Sequence, residues 1–67
     1  RVMKILLSEI MYAKNISIRQ LENMSGVPRA TISDIMNGKT SPRLDTLEQL
    51  ARALHCRITA LFESDIK

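Results

Sequence analysis

Residues 25–39 of this 67-residue chain read SGVPRATISDIMNGK. Within them Arg29, Ala30, Ser33 and Asp34 fall on one side of a short helical pattern, and Ile32 and Ile35 on the other. A guanidinium offers a planar fork of donors, a hydroxyl both donates and accepts, and a carboxylate only accepts. Such groups recognise a partner; alone they break no bonds. Nothing else in the chain adds reactive chemistry: no nucleophile sits beside a base, and no paired carboxylates share a face. His55 and the single cysteine, Cys56, are neighbours, but two residues are too few for a metal site. No enzyme and no cofactor are expected.

Presenting those groups takes a helix that is short and buried on one side only. Pro28 suits its first turn, where a missing N–H costs nothing, and Asn37-Gly38 closes it. The helix before it starts at the N-cap Ser17, with Gln20 completing a capping box, and Gly26 stops it after about Met24. So short a link forces the second helix to leave the first steeply, a helix-turn-helix over about residues 17–37. A first helix is expected from Val2 to Lys14, with Val2, Ile5, Leu6, Ile10 and Ala13 as its stripe. Leu44, Leu47, Leu50, Ala51 and Leu54 mark a fourth, and Thr59 to Glu63 a short fifth. No period-2 strand stands out. The expectation is an all-α, compact bundle of about five short helices in a single domain, residues 1–67.

Composition agrees with a small helical domain: 45% of residues are apolar and only Tyr12 and Phe62 are aromatic. A chain this short buries only about 60% of its unfolded surface, which leaves little room for a deep substrate pocket. No apolar run approaches the ~18 residues of a membrane span, and Val2 to Leu7 is too short for a secretory core. A cytoplasmic location is expected. The net charge is +3, and its placement says more. From Lys14 to Arg43 five basic residues (Lys14, Arg19, Arg29, Lys39, Arg43) stand against Glu22 and Asp34. A basic middle section suits a polyanion. The narrow helix with Arg29 at its start would fit a DNA major groove ~12 Å wide.

The stretch SIRQLENMSGVPRATISDIMNGKTSPRLDTLEQLARALHCRITALF resembles the DNA-binding domain of phage repressors and Cro proteins, the XRE family. Ser17, Leu21, Gly26-Val27, the TIS at 31–33, the NGK at 37–39, Pro42, LDTLEQLARAL and ITALF all fall in family order. The likeness runs without a gap from about Ile10 to Phe62. It implies that Arg29, Ala30 and Asp34 meet base edges, with Thr31 and Ser33 near adjacent bases or the backbone. It implies that Ser17 and Arg19, and Asn37, Lys39, Thr40 and Arg43 in the following loop, hold phosphates. The partner would be a double-stranded DNA operator, an inverted repeat bound by a homodimer, with the end of the fourth helix and Leu61, Phe62 and Ile66 as candidate dimer surfaces. The alternative is a protein-interaction module, such as an antitoxin-like partner, that binds DNA only secondarily.

Four departures from the family pattern carry expectations of their own. Ile18 stands where a phosphate-clamping Gln is common. Glu22 replaces a small residue facing the third helix, so its carboxylate must reach outward or find a partner. Met11 and Met36 stand where relatives pair an arginine with a glutamate, which suggests that the two methionines touch. His55 takes the place of a helix-ending glycine and must accept positive φ or shift the cap.

Overall fold

The computed structural model describes residues 3–66. Four α-helices carry the fold: α1 (Leu7–Lys14), α2 (Ile18–Ser25), α3 (Arg29–Met36) and α4 (Leu44–Leu54). A single 3-10 turn, Ile58–Leu61, follows α4. Two three-residue strands, β1 (Met3–Ile5) and β2 (Phe62–Ser64), pair antiparallel and bring the ends of the described chain together.

That ribbon corrects the all-α expectation and both terminal helices. The first helix begins at Leu7, and Val2, where it was expected to start, lies outside the described residues. Its buried residues are Leu7 and Met11, one turn apart, while Ile10 is half-buried and Ala13 exposed. Ile5 and Ile10 of the expected stripe pack against the core from its edge, but its buried centre is Leu7 and Met11, and Ala13 faces out. Upstream, Ile5 faces Phe62 across the ribbon and Lys4 faces Glu63, so an apolar pair alternates with a pair of opposite charge. The expected fifth helix shrinks to the 3-10 turn, because residues 62–64 take extended backbone. The Leu6 N–H donates to the Leu61 carbonyl at 2.8 Å, which joins the two ends where both leave the ribbon. Three residues are too few for a period of two to show in a sequence.

The core is one cluster: Leu7, Met11, Leu21, Val27, Ile32, Ile35, Leu47, Leu50, Ala51, Leu54 and Leu61. It draws residues from every helix, and α2 packs on both α3 and α4. Met11 is buried in this cluster and Met36 packs against it from α3. Apolar side chains at both positions leave no charge stranded there.

Helix ends follow the sequence closely. Ser17 Oγ accepts from the Gln20 N–H at 3.1 Å while Gln20 Oε1 accepts from the Ser17 N–H at 2.8 Å, the reciprocal box expected. Gly26 ends α2 at φ +79°, with nothing within 4 Å of where a Cβ would stand. The glycine is needed there for its backbone, not for space. Pro28 lies one residue outside α3, as its N-cap, rather than in its first turn. His55 ends α4 at φ +55°, accepting the left-handed conformation that a glycine would take more readily. The Cys56 N–H then reaches back to the Ala51 carbonyl at 3.0 Å and closes the helix end, with Cys56 itself half-buried against the core.

The capping box makes one modest effect measurable. Ser17→Ala removes an acceptor for the Gln20 N–H, a loss of about 1 kcal/mol, and a drop in Tm of about 4–8 °C is expected in a domain this small. Thermal unfolding followed by circular dichroism checks it; an unchanged Tm would mean that the box adds nothing.

Candidate nucleic-acid interface

The pair α2–α3 is joined by Gly26, Val27 and Pro28. Val27 is buried, and its N–H donates to Ser25 Oγ at 3.1 Å, while Ser25 Oγ in turn donates to the Leu21 carbonyl at 2.7 Å. One hydroxyl thus ties the end of α2 to the start of the link. With Leu21 below and Ile32 and Ile35 on the inner side of α3, all buried, the second helix is fixed against the first.

The outer side of α3 is what remains. Arg29 and Ala30 are exposed; Thr31, Ser33 and Asp34 are half-buried. All five residues expected to face bases therefore sit on one eight-residue helix, three of them partly sunk against neighbours. Asn37 follows directly, and its Nδ2 donates to Ser33 Oγ at 3.4 Å, a long contact that joins an expected phosphate residue to an expected base residue. The Lys39 N–H donates to the Asp34 carbonyl at 2.9 Å, so the loop leaving α3 folds back on its last turn. Gly38, at φ +71°, permits that turn.

The residues expected to hold phosphates are less uniform. Arg19, Lys39 and Thr40 are exposed, and none of them makes an ion pair among the described residues. Arg43 is also exposed, but its Nε lies 3.5 Å from Asp45 Oδ1. An exposed pair of this kind is worth little and is screened by salt, so it leaves the guanidinium available. Ser17 spends its oxygen on the capping box; its hydroxyl proton is the part left to donate.

The residue that sequence reasoning did not place in the site is Glu22. Its Oε2 accepts from the Arg29 N–H at 2.9 Å and its Oε1 lies 3.5 Å from Arg29 Nε. The carboxylate expected to need a partner has found two on one residue. It caps the first amide of α3, a position where an anion is favoured by the helix dipole. The signal in the sequence was the mismatch itself: a glutamate where the link leaves room for a small side chain. Its partner, seven positions on, becomes visible only when the turn is built.

Among the described residues no helix is long and apolar enough to cross a membrane. A family model described as helix-turn-helix matches residues 7–61, from the first turn of α1 to the end of the 3-10 turn. No curated protein matches the sequence. The match covers all four helices, and the family is one of DNA-binding domains. The chain belongs to the helix-turn-helix family of DNA-binding transcription regulators to which phage repressors and Cro proteins belong.

Proposed function

We propose that this domain is a sequence-specific, double-stranded DNA-binding regulator of the repressor and Cro type, with α3 lying in the major groove. The observation that carries the reading is the two-sidedness of α3. Ile32 and Ile35 are wholly spent on the core, and Arg29 and Ala30 stand clear of it at the helix start. A groove ~12 Å wide admits one helix, and its N-terminal residues then come nearest the base edges. Arg29, Ala30 and Asp34 face bases in this reading, with Thr31 and Ser33 beside them. Arg19, Asn37, Lys39, Thr40 and Arg43 fix register through phosphates, helped by the Ser17 hydroxyl.

A homodimer completes the proposal. Two recognition helices bind half-sites ~34 Å apart, one turn of the duplex. The domain measures 33 × 22 × 21 Å, so two copies fit side by side at that spacing without overlap. Of the surfaces expected to join them, Leu61 is buried and belongs to the core, and Phe62 is half-buried in β2. Ile66, 93% exposed, is the remaining apolar candidate at that end. An exposed apolar patch on the last helical turn or weak DNA affinity would favour the interaction-module reading; Leu61 and Phe62 supply no such patch.

Selection from a random duplex library at near-physiological salt tests the proposal. An enriched inverted repeat with half-sites about one turn apart is the expected result. Binding that enriches no sequence and disappears as salt rises would reduce α3 to part of a general polyanion surface.

A further inference from the structure

Glu22 stands in an unusual place for an acid: at the side of a helix that, in the proposed function, meets a polyanion. Its side chain is about one-third exposed, and both oxygens are directed at Arg29. One oxygen holds the backbone amide and the other lies against Nε. We infer that Glu22 is a positioning residue that determines specificity: it steers the Arg29 guanidinium toward a guanine and weakens binding to DNA of any other sequence. The inference rests on the proposed function and names what sets its selectivity.

The geometry supports each half. A guanidinium carries five N–H groups in one plane, and either of two edges can meet a pair of acceptors. Unlike Asp45 beside Arg43, Glu22 is half-buried and pinned by its bond to the Arg29 amide. Its second oxygen, 3.5 Å from Nε, is a charge contact that biases the Nε edge toward Glu22 and leaves the terminal Nη pair to reach O6 and N7 of guanine. The side chain gives up rotamer freedom before binding rather than during it, so less is lost when the base is met. The charge has the opposite effect on unspecific contact. A carboxylate beside α3 offsets the cation nearest the groove, and an arginine shared with Glu22 releases less counterion from phosphates. Binding of the wrong sequence therefore loses an attraction that binding of the right one replaces with base contacts.

Glu22→Gln separates these roles from helix capping. The amide oxygen of glutamine still accepts from the Arg29 N–H, but the negative charge beside Nε is gone. The test compares wild type, Glu22→Gln, Arg29→Ala and the double variant on the duplex selected above. Each also binds the same duplex with the base pair read by Arg29 replaced, over a range of salt. Glu22→Gln is expected to bind random duplex more tightly, with a salt slope steeper by about one charge. Its discrimination at that one base pair should fall by about two- to tenfold, the worth of one immobilised side chain. In the Arg29→Ala background the same change should leave discrimination untouched.

Undiminished discrimination at that base pair in Glu22→Gln would overturn the inference, and so would a loss spread evenly over all positions, the mark of a merely structural cap. A wild-type domain that selects no sequence overturns the proposed function, and this inference with it. A wild type that selects a site which Glu22→Gln reads equally well overturns this inference alone.

Discussion

Leu50→Ala is expected to lower Tm by at least about 10 °C. Leu50 has no exposed surface and belongs to the core cluster, on the helix that packs against α2. Removing its side chain loses the transfer energy of the missing atoms and leaves a cavity, together about 2–5 kcal/mol. A domain of this size holds only about 3–10 kcal/mol against unfolding. One leucine is therefore a large share of the whole. The effect reaches the proposed DNA-binding face indirectly, since α2 is the platform on which α3 rests. Thermal and denaturant unfolding check it: a midpoint within a few degrees of wild type would show that the core collapses around the gap.

Arg29→Ala has the largest effect expected on recognition. A good bidentate contact to a base is worth about 1–3 kcal/mol of discrimination, or roughly 5- to 150-fold. The loss should fall on one base pair in each half-site and spare the rest. The helix itself should survive, because alanine favours a helix and the Arg29 backbone N–H still reaches Glu22. Competition binding with single-base variants of the selected duplex measures this. Equal weakening at every position would assign Arg29 to a phosphate instead.

The central helix pair was legible because its boundaries are written in residues with one physical use each. Ser17 with Gln20 marks a start, and Gly26 and Asn37-Gly38 mark stops, and the structure places caps and turns at each. The fourth helix was legible for another reason: eleven residues give an apolar period room to repeat, though Leu44, read into that stripe, stands exposed at its start. His55 stands where the chain must accept positive φ or shift the cap, and it accepts the positive φ.

The ends were not legible. Val2, Ile5 and Leu6 fit a helical period, but Ile5 belongs to a strand whose partner, Phe62, lies at the other end of the chain. Pairing over such a separation leaves no local pattern to read. Glu22 shows a similar limit inside the site. The sequence announced that its carboxylate needed a partner, yet the choice of Arg29, backbone and side chain both, depends on how the turn aims two helices. The residues proposed to meet DNA follow from the resemblance and from which side of α3 stays uncovered. The degree of burial of Thr31, Ser33 and Asp34 came only with the structure.

The short ribbon also bears on the order in which the chain assembles. The α2–α3 corner forms between neighbours in sequence, whereas β1 meets β2 only after everything between them has been gathered. Closing a long loop costs entropy that grows slowly with its length, and six residues of strand repay little of it. The ribbon is therefore expected to open before the helical core does, like a clasp. A clasp that opens alone would leave the α2–α3 corner standing.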